Sequence, residues 1–154
     1  MSERFVKESV IAASAAIVFG FHERPGALVR LTPPWQRIEV IVPPASLAVG
    51  TRVVLRVKVG PLWREVVAEH VAYEPGHMFE DHMRKGPFAR WEHRHVVTPR
   101  GPNESVLTDD VVYALPLGAL GRAFGGAFAR GAIAKLFEYR HAVTREDCER
   151  ESRV

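Results

Sequence analysis

From Trp35 to Leu115 the chain reads with a period of two, and proline and glycine cut that stretch into short runs. The breakers are Pro43-Pro44, Gly60-Pro61, Pro75-Gly76, Gly86-Pro87 and Pro99-Arg100-Gly101-Pro102-Asn103. Between them the pattern predicts strands near residues 35–43, 51–59, 62–74, 77–85, 89–98 and 104–115. Connections this short join antiparallel neighbours, because a parallel pair needs a crossover of about a dozen residues or more. Residues 51–59 show the alternation plainly, with Val53, Leu55, Val57 and Val59 set against Arg52, Arg56 and Lys58. One face of such a sheet is covered and the other is wet.

The flanks have a different character. Residues 3–12 read as a first strand. Ser14 suits the N-cap of a short helix through His22, and Pro25 can open a second one through Leu31. Thr32-Pro33-Pro34 stops it. After Pro116 the period becomes helical, with Leu117, Leu120, Phe124, Phe128, Ala132, Leu136 and Tyr139 on one broad face. The helix is expected to run to about Arg145. Gly118, Gly121, Gly125, Gly126 and Gly131 lie in its first half, each costing about 1 kcal/mol relative to alanine. That half is therefore expected to be soft, or else broken near Gly125-Gly126. The charged tail from Glu146 to Val154 is expected to fray, and residues 1–147 read as one domain with 148–154 as a charged tail. The fold class is α+β: a curved antiparallel sheet of about seven strands, two short helices after the first strand, and a long C-terminal helix over the apolar face. A cavity is expected between sheet and helix.

Composition excludes several functions. Net charge is only +3, and Lys and Arg are interspersed with Asp and Glu, so no basic stripe tracks a nucleic-acid backbone. A single cysteine, Cys148, allows no internal disulfide and reads as an incidental residue at a helix end. The apolar run Val10–Phe21 resembles a signal-peptide core. Glu3 and Glu8 spoil its cationic start, no small-residue cleavage site follows, and the run is too short to span a bilayer. The expectation is a cytoplasmic protein with no membrane span.

Alternation assigns the cavity wall. Phe79, Asp81 and Met83 point inward from residues 77–85, and Trp91, His93, His95 and Val97 from residues 89–98. Leu107, Asp109, Val111, Tyr113 and Leu115 do so from residues 104–115. Hairpins centred on Pro75-Gly76, Gly86 and Gly101-Pro102 would set His70 opposite Asp81, Asp81 opposite Trp91, Phe79 opposite His93, and His93 opposite Asp109. The result is a polar belt of His70, Asp81, His93 and Asp109, with Trp91 and Tyr113 beside it. Phe124, Phe128 and Arg140 are expected to complete the ligand-facing set from the helix.

Histidine beside a carboxylate suits proton transfer near neutral pH. The same pairs also satisfy one another inside a sheet and fix strand register, as buried polar groups must. His93-Arg94-His95 puts two imidazoles on one face with Asp109 near, but His-x-His arises easily from strand alternation, and the reading calls for no metal and no cofactor. Arg140 could reach an anionic ligand group or an inward carboxylate, or it could form a surface ion pair. No phosphate-cradling glycine loop follows a strand, and no Ser-His-Asp or Cys-His arrangement is present.

The order of elements resembles the helix-grip fold of the START-like, birch-pollen-allergen-like superfamily, SRPBCC. More specifically it is similar to bacterial ligand-binding, cyclase/dehydrase-like members. The resemblance rests on Phe5–Ile11, Phe19–His22, Leu31-Thr32-Pro33-Pro34-Trp35, Phe79–Asp81, Gly86-Pro87-Phe88-Ala89-Arg90-Trp91-Glu92-His93, Asp109–Gly118 and Phe137–Arg140. It implies a deep apolar pocket opening near the end of the long helix. Ligands of the superfamily include lipids, sterols, polyketides and plant hormones; some members are aromatase/cyclases and many only bind or carry. The glycine-rich first half of the helix departs from the more charged helices of that subfamily. The leading expectation is therefore binding or carriage of a hydrophobic small molecule. The alternatives are a cyclase/dehydratase-like enzyme, with His93 or His70 as general base oriented by Asp81 or Asp109, and a protein-interaction module using a patch around Phe124 and Phe128. Exposed strand edges could pair two copies as a homodimer.

Overall fold

Every strand expected from the breaker pattern is present. The structure, a computed structural model, describes residues 1–154. The order is β1 (Glu3–Ile11), α1 (Ala15–Glu23), α2 (Ala27–Arg30), β2 (Ile38–Val42), β3 (Arg52–Val59), β4 (Leu62–Glu74), β5 (Met78–Lys85), β6 (Arg90–Gly101), β7 (Glu104–Ala114) and α3 (Gly118–Ser152). Ser14 caps α1, its hydroxyl accepting from the Ile17 amide at 3.3 Å. All seven strands form one antiparallel sheet in the order β1-β7-β6-β5-β4-β3-β2. The sheet curves around α3 in the helix-grip arrangement.

The register agrees with the expectation at one hairpin and differs at two. His70 does stand opposite Asp81. Asp81 is opposite His93 rather than Trp91, and Phe79 is opposite His95 rather than His93. Across the next hairpin His95, not His93, meets Asp109, while His93 meets Val111. Both slips are of two residues, so no side chain changes face. Their cause lies in the turns. Pairing between β5 and β6 ends at His82 and Glu92, leaving a longer loop around Pro87. The β6–β7 turn is Pro102-Asn103, preceded by a bulge between Pro99 and Gly101 where Gly101 takes φ 152°.

The long helix departs furthest from expectation. It runs unbroken through Gly125-Gly126 and continues to Ser152. Its buried face is Gly126, Ala129, Ile133, Phe137, His141, Thr144 and Cys148, a regular three-and-four spacing. The face read from the sequence is wrong in the first half: Leu117, Leu120, Phe124 and Phe128 are 82 %, 64 %, 87 % and 83 % exposed. Small residues take the inward positions because the helix there lies close to β1 and β7. Residues 148–154, expected to fray, are mostly the last turns of α3. Charges anchor them: Arg24 pairs with Glu151 and the Ala12 amide donates to Glu149 at 3.0 Å, while Arg30 holds the preceding residue, Asp147, at 2.8 Å. Cys148 is fully buried in the core with Ile11, Val18, Phe19, Leu107 and Val143, and burial pushes its thiol pKa up to about 12. A second cluster of Val111, Tyr113, Ala129, Ile133 and Phe137 fills the other end under α3.

Candidate functional site

Beside these two clusters the sheet and helices do not close on one another. A cavity of about 280 Å³ remains between the concave face of β2–β6, the α1–α2 segment, and Leu136 and Arg140 of α3. Leu28, Leu31, Leu47, Leu55, Val66 and Phe88 make most of its wall apolar, and the polar residues His22, His70, Asp81, His93, His95 and Arg140 also line it. Phe79, Met83 and Trp91 line it as expected from alternation. Asp109, Val111 and Tyr113 do face inward and are buried, but they lie behind the wall, under α3, and do not reach the cavity. Phe124 and Phe128 point to solvent and take no part in the lining, contrary to the sequence expectation.

The polar residues form a knot centred on Asp109. Its Oδ1 lies 2.7 Å from His93 Nε2 and 2.9 Å from His95 Nδ1, and its Oδ2 lies 2.7 Å from His141 Nε2. An ionised carboxylate only accepts, so His93 and His141 donate to it through Nε2–H. His95 Nδ1 is close to the same oxygen but off the line a hydrogen bond needs, and it has no other partner. The hydroxyl of Ser9 lies 2.8 Å from His141 Nδ1 and hydrogen-bonds it. This leaves His93 Nδ1 and His95 Nε2 facing Asp81, whose Oδ2 is 3.8 Å and 3.4 Å away. The rings of His93 and His95 have centroids 3.7 Å apart, and Phe79 stacks on His95 at 3.9 Å.

Burial and charge divide the protonation states. Burial alone would raise Asp109, but His95, His141 and His93 hold its carboxyl well below the usual range. Asp81 is likewise lowered, burial being outweighed by His95, His93 and His70. His95 is raised, because Asp109 and Asp81 overcome its desolvation. His93 is lowered by burial and by its neighbour His95, and His70 by burial. Of these three imidazoles, His95 is the one whose charged form the site favours, because it lies between two carboxylates. Asp81, His93 and His95 also offer one ligand atom each within 4.8 Å of one another, a set able to hold a metal ion. Asp81 rather than Asp109 completes this trio; Asp109 stands on the far side of the two imidazoles.

Two residues of the site escaped the sequence reading. His141 is 1 % exposed and joins α3 to Asp109. Its signal was its place four residues after Phe137 and eight after Ile133, on the apolar stripe. His22 lines the cavity from α1, donating Nδ1–H to the Val18 carbonyl at 2.8 Å and keeping the lone pair on Nε2. Burial, with the charge on His95 adding to it, pushes His22 down to about 4. The four-residue step from Val18 was the available signal.

A family model described as polyketide cyclase / dehydrase and lipid transport matches residues 2–145. No curated protein matches the chain. Among solved structures, norcoclaurine synthase from Thalictrum flavum is similar with a TM-score of 0.70 at 17 % identity, over 97 % of this chain and 88 % of that one. A START superfamily protein from Mycobacterium smegmatis gives 0.67 at 14 %, covering 96 % and 97 %. The Zhui aromatase/cyclase from Streptomyces sp. R1128 gives 0.66 at 12 %, covering 99 % and 94 %. At these identities the likeness establishes a shared fold.

Proposed function

The chain belongs to the polyketide cyclase / dehydrase and lipid transport family, and on that footing we propose that it binds and carries a hydrophobic small molecule, such as a lipid, polyketide or aromatic compound, in the cavity between the sheet and α3. The observation that carries this reading is the make-up of the wall, mostly apolar with a few placed polar groups. Such sites hold small molecules by shape and orient them by those groups. Asp109 ties β6, β7 and α3 together through His93, His95 and His141, which supports a structural part for the knot behind the wall. Native mass spectrometry of freshly purified protein tests the proposal: a bound lipid or aromatic mass is expected. A clean apo mass, together with no binding of any apolar probe, would overturn it.

The second reading is a cyclase/dehydratase-like enzyme. It is favoured by one feature, the approach of His93 and His95 to Asp81 on the cavity wall. An enzyme loses turnover on His93→Ala or Asp81→Asn while still binding; a carrier is more sensitive to loss of Trp91. No helix is long and apolar enough to cross a membrane. A cytoplasmic setting is part of the proposal, supported by a lone buried cysteine. Arginines on the outer sheet face are paired with acids, as in Arg4–Asp110 and Arg94–Glu80, which supports a partner other than nucleic acid. The sheet edges β1 and β2 are where two copies would pair.

A further inference from the structure

Arg140 is the one cavity residue whose charge the protein leaves unanswered. It follows Leu136 by one helical turn on α3, and both line the cavity. Its Cζ lies 5.4 Å from the centroid of the Phe137 ring, which fixes the guanidinium against the wall. No protein acceptor bonds it, and its Nε is buried without a partner. Asp109 and Asp81 act on it only through space. Asp109 is engaged by His93 and His141, Asp81 turns its Oδ2 toward His93 and His95, and neither carboxylate forms an ion pair with the guanidinium.

A guanidinium keeps its proton at any ordinary pH and offers five donors in a fixed fork. Leaving one partly desolvated and unpaired costs stability that a well-packed neutral side chain would not. The cost is recovered when a carboxylate enters, because two parallel N–H···O bonds match its geometry. We infer that the ligand is an amphipathic anion, with a carboxylate held by the guanidinium of Arg140 and its hydrocarbon body on Leu28, Leu31, Leu55 and Phe88. This rests on the carrier reading and specifies the chemistry of its cargo.

The test compares matched probes that differ in the head group. Decanoate against 1-decanol, and 2-naphthoate against 2-naphthol, are titrated by calorimetry into the full chain at pH 7.5. The carboxylates are expected to bind at least tenfold more tightly than their neutral partners. Arg140→Gln should abolish that preference, weakening the carboxylates while leaving the alcohols within about twofold. Arg140→Lys should keep part of it. Equal binding of acid and alcohol by the unaltered protein would overturn the inference and leave the carrier reading standing. Failure of all four probes to bind would overturn both. The melting temperature of ligand-free Arg140→Gln supplies a readout independent of binding. It should be equal to or higher than that of the unaltered protein, since no partner is left behind; a clear fall would show that the arginine is structural.

Discussion

The two halves of α3 are built on opposite terms. From Gly118 to about Ala132 the helix carries its large apolar side chains outward and its small ones inward, so Leu120, Phe124 and Phe128 are wet while Gly126 and Ala129 are buried. From Ile133 onward the large side chains go inward: Ile133, Phe137, His141, Val143 and Cys148 all pack in the core. The second half is also tied at its end to α1 and α2 through Arg24–Glu151 and Arg30–Asp147. The first half has no acidic residue, and its one cross-link to the sheet is Arg130 to Glu3 at 2.7 Å. It begins at Leu117, which is held in the left-handed region at φ 65°, a conformation a non-glycine residue adopts at a cost. Hydrophobic content and burial are thus separated along one helix. What decides burial is how near the backbone lies to the sheet.

If that contrast holds, removing one aromatic ring should have very different consequences in the two halves. Phe137 is fully buried, packs at 5.5 Å from Phe5 and lies edge-on to His93 at 5.0 Å. Phe137→Ala is expected to cost about 3–5 kcal/mol, the range for a buried aromatic truncation. Urea unfolding of the purified variant measures it. A cost below about 1 kcal/mol would mean the second half of the helix is not gripped as described.

Acid should loosen the fold through α1. His22 on α1 is held neutral down to about 4, while its ordinary value is 6.5. Below pH 6.5 the unfolded chain takes up a proton that the folded protein refuses, so stability falls as pH falls, until about pH 4. The loss from this residue is at most about 3 kcal/mol. His93 and His70 are shifted in the same direction. Above pH 6.5 the contribution is complete. His95 is shifted the other way and offsets part of this loss, so the readout is a difference: between pH 7.5, 6.0 and 5.0 the unfolding midpoint should fall more steeply in the unaltered protein than in His22→Gln. Equal slopes in the two proteins would contradict the buried neutral imidazole.

How much of this was legible in advance follows from the same contrast. Strand alternation has a period that no two-residue slip disturbs, so Phe79, Asp81, Met83, Trp91, His93 and His95 were placed on the cavity side although two of three registers were misjudged. The pairings themselves depend on the number of residues held in each turn, which a Pro-Gly signal marks without counting. On helices the reading followed the large apolar residues, and α3 buries its small ones first. His22 and His141 were missed for a related reason. A single polar residue on a helical apolar stripe is noticed only once the stripe is placed, and the stripe through Ile133 and Phe137 was not the one chosen.

Glycines give the next, smaller contrast. Gly131 has open space where a Cβ would stand, so Gly131→Ala should raise stability by about 1 kcal/mol through helix propensity alone. Gly121 is different: a Cβ there would run into the Pro116 carbonyl oxygen, which is backbone and cannot swing aside. Gly121→Ala should therefore destabilise, despite the better propensity. Thermal melts of the two variants side by side decide it. Equal effects would show that close approach does not shape the start of α3.

The smallest effect expected is the most exposing one. Phe124 and Phe128 lie one helical turn apart, with most of both rings in water. The double substitution Phe124→Ser with Phe128→Ser should change stability by no more than about 0.5 kcal/mol beyond the propensity cost of serine. It should leave decanoate affinity unaltered, because neither ring reaches the cavity. Sedimentation of the unaltered protein and the double variant across a range of concentrations completes the comparison. A stability loss above about 2 kcal/mol, or a concentration-dependent size that the double variant loses, would mean that another copy covers these rings. The first half of α3 would then be gripped as firmly as the second, from the outside, and the exposed aromatics would be an interface whose other side is the same chain.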